Sequence, residues 1–291
     1  METNLASEEE PRNPWPRPSL ILVATPIGNL GDMSARAIAA LKDADRIAAE
    51  DTRTSQILLR RYGIATPCLP YHEHNAQTMR PHLLEALAKG ERLALISDAG
   101  TPLISDPGYK LVREAIAADI PVTAVPGPSA PLMALILSGL PSDRFFFGGF
   151  LPPKPLARDK ALHAYGNIPA TLIFFESPRR LGATLSAMVQ AWGPRPACVA
   201  RELTKRHEEV LRGTLPELAA KFTDVPRGEI VIVVGPPLAS AAPGEEEVSE
   251  YLEDLLRSHA PSRAAALAAQ EFGLPRSALY RRALGLARRR K

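Results

Sequence analysis

Short apolar runs of strand length alternate along this chain with longer segments in which apolar residues recur every three to four positions. The order opens with LILVAT (20–25), MSARAIAALKDA (33–44) and RIAAED (46–51). It continues through ILLRRYG, PCLPY, TMRPHLLEALAKG, RLALIS, YKLVREAIAA, PVTAVP and APLMALILSG, which places five strands before residue 126. Alternation of this kind predicts parallel strands joined by crossover helices. Beyond LPSDR a second set of strands is predicted at FFFGGFL (145–151), TLIFFES (171–177), PACVAREL (196–203), EEVLRG (208–213) and EIVIVVG (229–235). Only TKRH separates two of these, the spacing of a hairpin, so the second sheet is expected to be partly antiparallel. PPLASAAPGEEE (236–247) has a linker composition. After it, RAAALAAQEFG, the breaker LP and RSALYRRALGLARRR predict helix, turn, helix, with Ser262 as N-cap and Gly273 as the stop.

The fold class is therefore α/β, with two α/β domains and a small helical C-terminal piece. The expected organisation is a disordered tail over 1–18, an N-terminal α/β domain over 19–141 and a second over 142–236. A linker over 237–247 then leads to a helical basic region over 248–291. Composition supports this picture: 291 residues exceed one compact α/β layer, and 45% apolar content is enough for real cores. Four of the prolines, Pro11, Pro14, Pro16 and Pro18, fall in an N-terminal stretch without apolar periodicity.

That stretch begins METNLASEEE, acidic where a secretory leader would be basic, and no run reaches the length of a membrane span. Cys68 and Cys198 are far apart, form no C-x-x-C and sit in strand-like runs, which predicts buried small apolar side chains in a reducing compartment. A cytoplasmic location is expected. Net charge is only +3, but its distribution is uneven: Arg276 to Lys291 carries seven Lys/Arg and no acid, after the acidic GEEEVSEYLEDLL.

The chain holds neither a G-x-x-x-x-G-K-[ST] loop nor a G-x-G-x-x-G helix opening. No Cys/His set has zinc-ligand spacing, since His72 and His74 stand at i and i+2 around Glu73, so no metal is expected. What recurs is a rigid polar loop after each strand of the first set: ATPIGNLGD, AEDTRTS, YHEHN, SDAGTPLISDPG and PGPSA. In an open parallel sheet the carboxyl ends of the strands line one edge, where ligands bind. Glycine and proline in such loops hold a fixed shape and bring backbone groups close to a ligand.

The second set has similar loops. In FFESPRRL, Ser177 is expected to cap the next helix and leave Glu176, Arg179 and Arg180 near the opening. RELTKRHEE gathers Arg201, Glu202, Thr204, Lys205 and Arg206, and RGEIVIVV starts a strand with Arg227, Gly228 and Glu229. Ion pairing between domains is the plain structural explanation for these charges. Glu176 and Glu229 border apolar runs, where a carboxylate needs a partner or a task.

ATPIGNLGDMSARAI, AEDTR, HEHN, LISDAGTPLISDPGYKLV, VPGPSA, FFESPRR, RELTKRHEE and RGEIVIVV, in this order, closely resemble the ribosomal RNA small subunit methyltransferase I group of the tetrapyrrole methylase family. The match runs from about Leu20 to Val234 and extends more loosely to the C-terminal helices. The resemblance implies an S-adenosylmethionine-dependent enzyme that methylates the ribose 2′-hydroxyl of a cytidine (position 1402) in the decoding centre of 16S rRNA. It implies a donor folded into the cleft between two α/β domains, held by Asp98, Gly100, Thr101, Pro102, Ile104, Ser129, Ala130, Phe175, Glu176, Leu203, Gly228 and Glu229. It also implies a homodimer, with 16S rRNA met within the small ribosomal subunit.

Methyl transfer from a sulfonium needs an aligned in-line displacement, and a ribose hydroxyl needs a proton acceptor or a nearby cation. Glu176, Lys205 and Glu229 are the catalytic candidates, with Glu202 and Asp98 as further candidate acceptors; no single base is assigned, and the Lys-Asp-Lys-Glu tetrad of many Rossmann-fold 2′-O-methyltransferases is absent. Candidate RNA contacts are Asn29, Arg53, His72, His74, Asn75, Lys154, Arg158, Arg179, Arg180, Arg206, Arg281 and Arg282. Two other readings stay open: the same enzyme type acting on a tetrapyrrole, and a ligand-sensing nucleic-acid-binding regulator built on the C-terminal helix pair.

Overall fold

Ten strands form where the apolar runs lie, and they assemble into two five-stranded sheets in a computed structural model that describes residues 17–222, 224–237 and 245–289. Most of the expected tail (1–16), the centre of the expected linker (238–244) and the last two basic residues (290–291) lie outside the described residues. The chain divides into two units, 1–236 and 237–291.

In the first unit, β1 (Ser19–Val23), β2 (Arg46–Ala49), β3 (Cys68–Pro70), β4 (Arg92–Ile96) and β5 (Val122–Val125) pair in parallel in the order β3-β2-β4-β1-β5. Inner strand β1 is apolar on both faces from Leu20 to Val23 because both are covered, as a parallel sheet requires. Leu20 packs with Ala48, Leu93 and Leu95 on one face, and Ile21 and Val23 with Ile47, Ala94 and Ile96 on the other. The crossovers are α1 (Ala35–Asp43), α2 (Thr52–Arg61), α3 (Ala76–Ala88) and α4 (Tyr109–Ala117). Ser34 caps α1 by accepting from the Ala37 amide at 3.1 Å, and Asp51 caps α2 by accepting from the Arg53 amide at 2.8 Å.

The second sheet holds β6 (Phe145–Phe150), β7 (Thr171–Glu176), β8 (Pro196–Arg201), β9 (Glu209–Thr214) and β10 (Ile230–Val234), in the order β6-β7-β10-β8-β9. It is mixed: β6 and β7 are parallel and the other pairs antiparallel, including the β8–β9 hairpin. One face is covered by α6 (Pro155–Tyr165), α7 (Leu181–Trp192) and α8 (Leu215–Lys221). The other is covered by α5 (Ala130–Ser138), which follows β5 in sequence yet buries Ala134 and Leu135 against Ile173, Cys198, Val231 and Val233. That helix locks the two sheets together, so the carboxyl edge of the first faces loops of the second.

The second unit is a three-helix cluster of α9 (Glu245–Leu255), α10 (Pro261–Phe272) and α11 (Arg276–Arg289). Val248 and Leu252, one turn apart, pack with Ala264, Ala265, Ala268, Leu279 and Ala283. Helix α9 begins inside the expected linker, because acids at a helix start such as Glu245 and Glu246 favour the positive end of its dipole and the Val/Leu pair supplies a buried stripe. Ser262 is not the N-cap of α10: Ala260 is, since Pro261 takes the first helical position that suits its fixed φ. Gly273 ends α10 in the left-handed region at φ 64°. Among the described residues no helix is long and apolar enough to cross a membrane.

Candidate active site

The loop after β4, SDAGTPLISDPG, is tied down before it reaches any ligand. Thr25, from the loop after β1, exchanges backbone hydrogen bonds with Gly100 at 2.9 and 3.0 Å, and its hydroxyl donates to the Ser97 carbonyl at 3.1 Å. The Thr101 hydroxyl donates to the Pro128 carbonyl at 3.2 Å, joining the loop after β5. Leu103 and Ser105 adopt φ of 73° and 71°, a left-handed backbone that side chains disfavour. Strain of this kind persists where surrounding contacts over-determine a functional loop.

These loops and the facing ends of β7 and β10 enclose a cavity of about 380 Å³. Of the residues expected to hold a donor, it is lined by Thr101, Ile104, Ser129, Ala130, Phe175, Glu176, Leu203, Gly228 and Glu229. Gly100 and Pro102 support the loop and do not line the cavity, and Asp98 belongs to a different one. Ile27, Ser105, Asp106, Phe150 and Pro178 line it without having been singled out from sequence. Asp106 had a signal, the second Ser-Asp pair of the loop. Burial, with Glu50 and Asp98 nearby, pushes its carboxyl up to about 6 against a hydrogen bond from Ser97. Burial likewise raises Glu50, helped by Asp98 and offset by His72.

A second cavity of about 230 Å³ adjoins the first and shares Ile27, Ala99 and Glu229 with it. Lys205 lines the second cavity and pairs with the shared Glu229. Its ammonium lies 2.8 Å from Glu202 Oε1 and 3.2 Å from Glu229 Oε2. Glu202 Oε1 also accepts from the Glu229 amide at 3.0 Å. Burial pulls Lys205 down, but the two carboxylates outweigh it and raise the group overall, so it stays a cation. The Lys205 hydrogen bond, then that from the Glu229 amide, lowers Glu202. The clamp is shaped by close approaches: a Cβ on Gly28 would come 2.5 Å from Lys205 Cγ, and one on Gly228 (φ 95°) 2.4 Å from the Glu202 carboxyl.

Glu176 is 3% exposed and its carboxylate is fully engaged. The Arg180 guanidinium sits 3.0 Å away, the Thr184 hydroxyl donates at 2.6 Å and the Ser177 amide at 2.7 Å. Ser177 does not cap α7; the chain makes a turn from Ser177 to Arg180, which holds the N-cap position. Arg180 also donates to the Leu151 carbonyl at 2.6 Å.

The remaining sequence candidates divide into free and committed groups. Arg179, Lys154, Arg206, His74 and Arg281 are exposed. Arg158 is half-buried and Arg53 exposed but paired with Asp51. Asn29 accepts from the Gly31 amide, and Asn75 clamps its turn by bonding the His72 amide and the Pro70 carbonyl. His72 packs edge-on to His74 and holds a buried Nδ1 without a partner. Arg282 donates to Ser249 Oγ and to the Glu245 carbonyl, fastening α11 to α9. Among the described residues no cluster could hold a metal ion.

Comparison with known proteins agrees with this architecture. The family model of the tetrapyrrole (corrin/porphyrin) methylases matches residues 19–219, and that of the RsmI C-terminal HTH domain matches 242–287. A ribosomal RNA small subunit methyltransferase I from Mesorhizobium japonicum is 54% identical over 272 residues, covering 92% of each chain. One from Xylella fastidiosa is 50% identical over 268 residues, covering 90% of this chain and 97% of its own. The solved uroporphyrin-III C-methyltransferase from Thermus thermophilus, complexed with S-adenosyl homocysteine, superposes with a TM-score of 0.52 at 18% identity, over 74% of this chain and 96% of its own.

Proposed function

The chain belongs to the tetrapyrrole methylase family, and from that premise we propose that it is an S-adenosylmethionine-dependent methyltransferase acting on a cytidine ribose 2′-hydroxyl of small-subunit rRNA. The observation that carries this reading is the pair of adjoining cavities meeting at Glu229, whose carboxylate pairs with Lys205 of the second. The first cavity fits the donor: apolar Ile27, Phe150, Phe175 and Leu203 suit an adenine and thioether, Thr101 and Ser129 offer polar groups, and Asp106 faces a cationic ligand with its own charge. Bound there, the donor supplies an electrophilic methyl carbon on a sulfonium.

The residues at the junction handle the acceptor. Glu229 is the proton acceptor in this reading: its carboxylate is 73% exposed, borders both cavities, and keeps one oxygen beyond its contact with Lys205. Lys205, held cationic, stabilises the developing alkoxide. Glu202 positions both by gripping the ammonium and the Glu229 amide, at the cost of a left-handed backbone at φ 51°. Glu176 organises the donor cavity through Arg180 and Thr184 and takes no proton.

The names of the relatives support rRNA as the acceptor, and a small ribosomal subunit is the setting we infer for it, in the cytoplasm. Exposed Arg179, Arg206, Lys154 and Arg281 are the phosphate contacts in this reading. The expected homodimer needs an apolar face, and Leu132 and Ile136, one turn apart on α5 and 43% and 64% exposed, supply one. Incubating the protein with labelled donor and small subunits, then mapping the label by mass spectrometry, tests the proposal. Label on a ribose oxygen is expected; label on a base, or transfer only to a tetrapyrrole, would refute it.

A further inference from the structure

We infer that the second cavity seats the base of the target nucleotide, and that Asp98 selects an amino-pyrimidine there. This rests on the proposed ribose methylation. The cavity shares a wall with the donor cavity, so a sugar at the junction would send its base into one side or the other. Its apolar walls are formed by Pro26, Leu30, Ile57 and Leu58, and Ile57 is 65% exposed. RNA sites are read by splaying single bases onto such surfaces and hydrogen-bonding their edges.

The Thr25 and Ser97 hydroxyls of the cavity are spent on backbone carbonyls. Asp98 keeps an acceptor open. Asp98 is pinned by one carboxylate oxygen, which accepts from the Asp51 amide at 2.9 Å, and its other oxygen receives no hydrogen bond from the described residues. A carboxylate that only accepts complements the edge of cytosine, where an exocyclic amine donates. Uracil presents a carbonyl oxygen where cytosine has the amine, so Asp98 would face it acceptor to acceptor.

The test uses the full-length protein with saturating donor and small subunits carrying either cytidine or uridine at the methylated position. Wild type is expected to favour cytidine, and Asp98→Asn, whose amide can donate to uracil, to shrink that preference by about tenfold or more in kcat/KM. Ile57→Trp, a substitution at an exposed position that narrows the cavity mouth, is expected to lower kcat/KM for RNA about tenfold while calorimetry shows donor affinity changed by no more than about twofold. An unchanged base preference in Asp98→Asn, or full RNA activity in Ile57→Trp, in a preparation whose wild type methylates ribose, would overturn the inference alone. A wild type that methylates no ribose would bring down the proposed function, and this inference with it.

Discussion

Replacing Glu176 separates a structural carboxylate from a catalytic one. Its side chain is fully buried and answers three groups: Arg180 at 3.0 Å, the Thr184 hydroxyl at 2.6 Å and the Ser177 amide at 2.7 Å. Glu176→Ala strands a guanidinium and a buried hydroxyl, and breaking a buried pair from one side costs about 3–5 kcal/mol. Arg180 keeps 28% of its side chain exposed, so water screens part of this and the lower end, about 3 kcal/mol, applies. At roughly 2–4 °C per kcal/mol for a unit of this size, Tm should fall by about 6–12 °C. Glu176→Gln keeps one acceptor oxygen for Thr184 but loses the charge and the acceptor for the Ser177 amide, for about 1–3 kcal/mol. Thermal melts alongside initial rates at 25 °C supply both readouts. For Glu176→Gln, kcat should stay within about threefold of wild type, whereas loss of a general base would cost about a hundredfold or more. An unchanged Tm with a hundredfold fall in kcat would refute the structural role.

Asp106, lifted from 3.8 to about 6, gives a pH signature. Between those values the folded protein holds a proton that the unfolded chain has released, so stability falls as pH rises from about 4 to 6 and stays lower above. Asp106→Asn should flatten that slope in pH-dependent melts and stabilise the protein at pH 7 by about 1 kcal/mol, a figure discounted because the group is only partly buried. The same variant should bind the cationic donor more weakly at pH 7 by calorimetry, since it removes the charge that faces it. Gly228→Ala must either shift Glu202 or leave φ 95°, and is expected to lower kcat about tenfold or more by disturbing the Lys205 clamp, measured in single-turnover methyl transfer. Truncation after Gly244 should leave donor affinity intact and weaken RNA binding, with a salt slope shallower by about one for each phosphate that the removed helices neutralise; an equal slope would remove the helical unit from RNA recognition.

How legible the molecule was in its sequence varies with the range of the forces involved. Strand positions were plain because a sheet covered on both faces needs continuous apolar runs such as LILV and IVIVV. The mixed order of the second sheet was legible only in its hairpin, since nothing local in FFFGGF says that β6 runs parallel to β7. Nor does the sequence of α5 say which sheet it covers. Helix α9 was hidden by its run of acids, which resembles a solvated linker until Val248 and Leu252 find partners. In the site, loops rich in glycine, proline and hydroxyls pointed to residues that line the first cavity, including Thr101, Ser129 and Gly228. What escaped was the long-range pairing: Glu176 with Thr184, Asp98 with the Asp51 amide, and Lys205 between two glutamates. A carboxylate at a strand end looks the same in sequence whether it fastens a helix or meets a substrate.

The most direct test of the account is a crystal structure of the protein with the demethylated donor, S-adenosylhomocysteine. Density should fill the cavity between Thr101, Ser129 and Phe175, with the sulfur directed toward the junction at Glu229 and Lys205. A product bound elsewhere, or seated there with its sulfur turned away from Lys205, would contradict the claim that the two cavities divide donor from acceptor.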